Sequence, residues 1–450
     1  MAPSSDTIAA LATPAGSSAL ALIRVSGPDS RRLAQGVFDA LLSPRVARHG
    51  HYRDRNGVRL DDVVWTFFAG PATSTGEDAL EISCHGNPFI AQKILEDLWA
   101  RGCRPAEPGE FTRRAFLNGR MDLSQAEAVM DLIRARSDRA LAAARRMLEG
   151  GLSRHLEPLT SGLTGMLARI EAQIDFPEED LPPQDRAALG ASLESVRRGA
   201  DRLLATLPYG ELLRDGIGTV IVGEPNAGKS SLLNRLVGRE RAIVSAEPGT
   251  TRDFIEERVV VGPHGLRLID TAGLNPAPEA VEQLGIGKTL ERIAEADLLL
   301  VVLDATRPTP AFPPALSERM KPENTVVVLN KADLLRGAPV AATPPALACV
   351  RVSALTGEGV ADLTDAIARI AEDLEPAGSD AVAINARHAE ALGRARACLE
   401  DAAHKLDTSA PPELLASDLR GALDALGEIS GKIDHERVLD RLFAEFCIGK

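Results

Sequence analysis

The sequence predicts a multi-domain chain of three textures: an α+β segment, an all-α segment, and an α/β segment inserted into the all-α one. Three observations carry that expectation. The 450 residues are 44% hydrophobic and 26% charged, room for about three domains with cores of their own. Ala/Leu/Arg-rich helical patterns lie on both sides of residues 216–375. Within 216–375, short apolar runs alternate with helical stretches, as in a sheet buried on both faces.

Composition narrows the function classes. Lys and Arg number 51 against 64 Asp and Glu, a net charge of -13. The whole chain therefore carries no footprint of non-specific nucleic-acid binding, and only local basic patches stay open. Just eight of the basic residues are lysines, so a lysine is a candidate for a position that a planar guanidinium fills poorly. The five cysteines, Cys84, Cys103, Cys349, Cys398 and Cys447, are odd in number and form no C-x-x-C pair. That argues against a disulfide framework or a zinc site and for a reducing compartment. The opening MAPSSDTIAALATP lacks the basic-then-apolar order of a secretory leader, and no apolar run approaches the ~20 residues that span a bilayer. The expectation is a cytoplasmic protein with no membrane segment.

Residues 1–118 form the α+β segment. Residues 20–25 and 62–68 read as strands bounded by Ser-Gly-Pro and Gly-Pro, and 90–100 as a helix. From 119 the pattern turns helical. Ser124-Gln125-Ala126-Glu127 has capping-box spacing ahead of a helical pattern reaching Leu148. Helix continues to 174, a turn is expected over 176–183, and helix resumes to about 213; it returns over 385–406 and 413–446. Segments 119–215 and 376–450 thus read as one discontinuous domain, the ends of its insert lying close together. In the insert, strands are expected at 219–222, 254–261, 266–269, 298–303, 325–329 and 349–352.

Gly223-Glu224-Pro225-Asn226-Ala227-Gly228-Lys229-Ser230 matches G-x-x-x-x-G-K-[ST] between a strand and a helix, the context this motif requires. Backbone N–H groups of such a loop, with the helix N-terminus, close around phosphates. Lys229 would reach the β/γ-phosphates and the Ser230 hydroxyl, beside Ser231, would bind Mg²⁺. Asp270-Thr271-Ala272-Gly273 ends a strand, where Asp270 can hold Mg²⁺ through water and the Gly273 N–H can approach the γ-phosphate. Asn330-Lys331-Ala332-Asp333 ends another; Asp333 can accept from guanine N1–H and N2–H together, which selects GTP over ATP. Ser353-Ala354-Leu355 brings a backbone N–H toward guanine O6. Ser245-Ala246-Glu247-Pro248-Gly249-Thr250-Thr251 lies between the first two strands, where Thr251 would complete the Mg²⁺ shell. Together, in this order, the motifs resemble those of the translation-factor-like GTPases. Leu274 stands where Ras-like proteins carry a water-orienting glutamine, so another group must orient water. Asn226 fits the asparagine of potassium-dependent GTPases.

The likeness then extends beyond the insert. Asp6-Thr7-Ile8-Ala9-Ala10, Thr75-Gly76-Glu77-Asp78, Cys84-His85-Gly86, the run from Pro108 to Gly119, Glu224-Pro225-Asn226, Gly249 to Asp253 and the final Phe446-Cys447-Ile448-Gly449-Lys450 together resemble the MnmE (TrmE) family of tRNA-modifying GTPases. The resemblance implies a folate-binding-like N-terminal domain that also dimerises, a discontinuous helical domain, and an inserted Ras-like P-loop GTPase domain. It implies a tetrahydrofolate derivative (5-formyl- or methylene-tetrahydrofolate) at Arg24, Glu81, Arg120 and Lys450, with Cys447 taking part in the tRNA chemistry and facing that pocket. Arg120 stands where lysine is common in the family. The resemblance further implies a K⁺ ion held by Asn226, Thr250 and the Ser245 and Glu247 carbonyls, and a water-orienting Glu282. The function implied is a K⁺-stimulated GTPase that acts, as a homodimer with an FAD-dependent GidA (MnmG) partner, on the wobble uridine of certain tRNAs. Two other readings stand beside it: an Era-like ribosome-assembly switch, for which no KH-type G-x-x-G module is seen, and a folate-dependent transferase whose GTPase is regulatory only.

Overall fold

The computed structural model describes residues 6–39, 41–175, 183–239, 256–270, 291–335, 346–374, 382–431, 442–444 and 446–449. These fall into two compact units, one from Met1–Met130 with Asp424–Lys450 and one from Asp131–Leu423.

The first unit is built on a six-stranded sheet. Its strands are β1 (Ile8–Leu11), β2 (Leu20–Ser26), β3 (Arg48–Arg53), β4 (Arg59–Phe68), β5 (Ala79–His85) and β6 (Arg104–Pro105), in the order β3-β4-β5-β2-β1-β6. Pairing is antiparallel except between β1 and β6. Alternation decides the faces: Ala21, Ile23 and Val25 of β2, Val63, Trp65 and Phe67 of β4, and Leu80, Ile82 and Cys84 of β5 enter one core. Helices α1 (Ser30–Phe38) and α2 (Pro88–Ala100) cover that core with Leu33, Val37, Ile94 and Leu98. Asn87 caps α2 by accepting from the Phe89 N–H at 2.9 Å.

Helices α3 (Glu110–Leu117) and α4 (Leu123–Arg134) follow. The cap of α4 differs from the one expected. Asp122, not Ser124, begins the box: its Oδ1 accepts from the Gln125 N–H at 2.8 Å while Gln125 Oε1 accepts from the Asp122 N–H at 2.9 Å. Ser124 lies inside the helix, fully buried, and donates to Asp122 at 2.6 Å. The helical pattern expected to reach Leu148 is also two helices, because Ser137 opens α5 (Asp138–Leu148) by accepting from the Ala140 N–H at 3.2 Å. Phe443 and Phe446 pack with Leu123, Ala126 and Met130 in a small core of the first unit.

In the second unit, α6 (Gly151–Asp175), α7 (Pro183–Leu204) and α8 (Leu207–Asp215) precede the inserted sheet. Strands β7 (Ile217–Val222), β8 (Glu256–Val261), β9 (His264–Asp270), β10 (Leu298–Asp304), β11 (Thr325–Asn330) and β12 (Ala348–Arg351) run in the order β12-β11-β10-β7-β9-β8. All pairs are parallel except β8 with β9. Both faces are buried, as the apolar runs require: Leu298, Leu300 and Val302 enter one core, Leu299, Val301 and Leu303 the other. Helices α9 (Lys229–Arg239) and α10 (Val360–Asp373) cover the first of these cores with Leu232, Leu236, Leu363 and Ile367. Then come α11 (Ala386–Asp407) and α12 (Pro412–Ser430). Helix 413–446 is not continuous: α12 ends at Ser430, and Gly431 has φ 77°. Arg214 of α8, just before the sheet, donates to the Ile384 carbonyl at 3.1 Å. Among the described residues no helix is long and apolar enough to cross a membrane.

Candidate functional site

The phosphate end of the site follows from β7 running straight into residues 223–228 and then α9. Asn226 has φ 65° and is exposed at the loop's outer bend; asparagine tolerates that left-handed conformation. Gly228 has φ 96°, and a Cβ there would lie 2.1 Å from Asn330 Nδ2, so only glycine fits. Lys229 folds back across the loop, its Nζ donating to the Gly223 carbonyl at 2.8 Å and the Glu224 carbonyl at 2.9 Å. That leaves a cationic tip over a ring of backbone at the N-terminus of an 11-residue helix, a cradle suited to phosphate. Ser230 is exposed in the first turn of α9, and its hydroxyl is a hard oxygen donor of the kind Mg²⁺ takes.

Beside this cradle lies a cavity of about 630 Å³ lined by Gly228, Asn330, Lys331, Asp333, Ala354 and Leu355, with Ser231 and Arg235 from α9, a volume ordinary for a nucleotide-sized ligand. Asn330 ties the two together. It is 2% exposed; its Nδ2 donates to the Ala227 carbonyl at 2.8 Å and its Oδ1 accepts from the Ala354 N–H at 3.0 Å. The Ala354 N–H is thus turned to Asn330, while the Ser353 hydroxyl oxygen, fully buried, accepts from the Thr356 N–H at 3.1 Å. Lys331 has φ 65°, and its Nζ donates to Asp304 Oδ2 at 2.6 Å. Burial pushes the Asp304 carboxyl up, but Lys331 and the hydroxyl and N–H of Thr306 outweigh it and hold the group down at about 2.

Asp304 and Arg235 were not among the expected site residues. Asp304 had a sequence signal, a carboxylate closing the apolar run of β10. Arg235 had none. Asp270 ends β9 with its backbone opposite Ile221 of β7, beside the phosphate loop. The segment Ser245 to Thr251, Thr271, Ala272, Gly273, Glu282 and Lys450 lie outside the described residues.

In the first unit, Arg24 of β2 and Glu81 of β5 are directly opposite and ion-paired at 2.9 Å. They stand on the sheet face away from α1 and α2, with the Arg24 guanidinium 5.8 Å from the centre of the Phe111 ring. Arg120 is exposed and is not joined to that pair; it lies against the 75–78 loop, 3.4 Å from where a Gly76 Cβ would be. Arg114, 3% exposed, gathers Asp6 at 2.8 Å, Glu110 at 2.9 Å and Glu77 at 3.2 Å, which accounts for Glu110 and Arg114 of the 108–119 run. The final segment joins the same place. The Gly109 N–H donates to the Cys447 carbonyl at 3.3 Å and Pro108 bridges to Ile448. A Cβ on Gly109 would meet the Phe443 carbonyl at 2.8 Å. The Cys447 side chain is exposed.

Two family profiles match the chain: one described as GTP-binding protein TrmE N-terminus over residues 7–120, the other as MnmE helical domain over residues 123–447. The tRNA modification GTPase MnmE of Opitutus terrae is 58% identical over 452 residues, covering 100% of both chains. Its counterparts in Akkermansia muciniphila and Thermotoga maritima are 45% and 40% identical, covering 99% of this chain and 99% and 100% of theirs. Of solved structures, the G domain of the T. maritima FeoB iron transporter is 23% identical, covering 34% of this chain and 97% of that one with a TM-score of 0.25. An Era variant of Aquifex aeolicus is 25% identical, covering 40% and 65% with a TM-score of 0.26. With a phosphate-loop motif in the insert and relatives this similar from end to end, the chain belongs to the MnmE (TrmE) family of tRNA modification GTPases.

Proposed function

We propose that this chain works as a homodimeric, K⁺-stimulated GTPase with an FAD-dependent partner of the GidA (MnmG) type, in the cytoplasm. The pair would install a carboxymethylaminomethyl group at C5 of the wobble uridine of certain tRNAs, with a tetrahydrofolate derivative as the one-carbon source. Residues 1–118 serve as the tetrahydrofolate-binding and dimerisation domain, 119–215 with 376–450 as the helical domain, and 216–375 as the GTPase domain.

In this reading the GTP phosphates lie over 223–228 against Lys229, and guanine enters the cavity with its N1–H and 2-amino group on Asp333. Ser230 and Thr251 would hold Mg²⁺, with Asp270 reaching it through water; Asn226, Thr250 and the carbonyls of Ser245 and Glu247 would hold K⁺. Such cations neutralise charge that builds on the phosphates in the transition state. Glu282 orients the attacking water, the task Leu274 cannot perform. Exposure of both the Ser230 hydroxyl and the Asn226 side chain is compatible with these roles.

The folate half rests chiefly on one observation: the terminal segment is paired to Pro108 and Gly109, two residues before Phe111, whose ring faces Arg24, the ion-pair partner of Glu81. Cys447 therefore belongs to the same unit as the ligands expected for the pterin. Titrating the full-length protein with 5-formyl-tetrahydrofolate tests this. Glu81→Gln is expected to weaken binding by about tenfold or more while GTP turnover changes by less than about twofold. Unchanged folate affinity removes Glu81 from the site.

A further inference from the structure

The reading above leaves Arg235 without a task, although it sits half-buried on α9 and lines the base cavity. Its Nε donates to the Ala354 carbonyl at 3.0 Å, and its Nη2 donates to the Leu355 carbonyl. The rest of that turn is held as well. The Ala354 N–H donates to Asn330, the Thr356 N–H to the Ser353 hydroxyl, and the Gly357 N–H to the Ser353 carbonyl at 2.8 Å. A peptide unit is planar and trans, so its C=O and N–H point opposite ways. With the Ala354 carbonyl fixed on Arg235, the N–H of the same unit, that of Leu355, faces away from the guanidinium. Among the described residues this N–H meets no acceptor, and Leu355 lines the cavity.

We infer that Arg235 is a positioning residue for base selection: by clamping two consecutive carbonyls from the phosphate-loop helix, it presents the Leu355 N–H to guanine O6. The planar fork of arginine suits this, because two donors in a fixed geometry leave the turn one orientation; the compact lysine ammonium holds it less tightly. The clamp also couples base to phosphate, since the helix that begins at Lys229 is the one that sets the base-reading turn. This inference rests on guanine occupying the 630 Å³ cavity.

The test compares equilibrium affinities of the full-length protein for GTP and for 6-thio-GTP, which keeps the N1–H and 2-amino donors but offers a weak sulfur acceptor in place of O6. Arg235→Ala is expected to weaken GTP by about tenfold and 6-thio-GTP by less than about twofold, with Arg235→Lys between wild type and Ala for GTP. The thermal midpoint of the nucleotide-free protein controls for folding. Equal losses for both nucleotides, or no loss of GTP affinity, would overturn the positioning role. A wild-type protein that fails to prefer GTP over ATP would instead overturn the placement of guanine beneath it.

Discussion

Asp304 illustrates how much of the site's order comes from single charges placed at strand ends. It closes β10, where burial alone would raise a carboxyl, yet Lys331 and Thr306 bring it to about 2 from an ordinary 3.8. A depressed carboxylate stabilises the fold fully above its unfolded value, and that stability fades as pH falls through its folded value. Asp304→Asn is therefore expected to lower stability at neutral pH and to lose less on acidification between pH 4 and pH 2 than the native chain. Denaturant melts at several pH values measure this, and parallel curves would refute it. At this scale the sequence pointed to Asn330, Lys331 and Asp333 through one short motif, and all three line the same cavity. It was silent on Arg235, whose partners are 119 and 120 residues away and are main-chain carbonyls, which leave no trace in residue type.

At the scale of elements, apolar content made the inserted strands easy to read, since strands buried on both faces have little freedom of composition. Run 298–303 became Leu298–Asp304, and 325–329 became Thr325–Asn330. Strand β3 escaped notice because it is an edge strand of sequence RHGHYR in which only Tyr52 is buried; its pairing with β4 supplies what its side chains do not. The cap of α4 was displaced for a related reason. Ser124 had the right spacing to Glu127, but Asp122 and Gln125 form the reciprocal pair and Ser124 is drawn into the core. Asp122→Ala is accordingly expected to cost about 1 kcal/mol of stability. Chemical denaturation reads this directly, and a change within about 0.3 kcal/mol would return the capping role to another residue. Arg114 belongs to this scale too, because it joins α3 to the chain before β1 and to the 75–78 loop. Removing it takes a buried cation away from Glu77, Glu110 and Asp6, the last two of which keep Arg104, and Arg114→Ala is expected to destabilise the first unit by about 3 kcal/mol in chemical denaturation.

For the molecule as a whole, the question is whether an alkali ion and a one-carbon carrier act in one cycle. The left-handed backbone of Asn226 offers a structural reason for asparagine there that is independent of K⁺, and one substitution separates the two. Asn226→Gly keeps that conformation and deletes the ligand. If the side chain holds K⁺, the excess of turnover in KCl over NaCl disappears in this variant; if asparagine serves only the bend, the excess persists. The succession of a mixed sheet, helices and a mainly parallel second sheet was readable from composition and periodicity, whereas the joining of the terminal segment to Pro108 and Gly109 was not, because pairing between residues so distant in sequence has no local pattern. GTP hydrolysis by this chain is expected to be coupled to wobble-uridine chemistry. Mass spectrometry of nucleosides from tRNA of cells lacking this chain, complemented with the native sequence or with Lys229→Ala, measures that most directly. We expect carboxymethylaminomethyl-type uridine to vanish on deletion, return with the native chain, and stay absent with Lys229→Ala; unaltered wobble uridines on deletion would contradict the account.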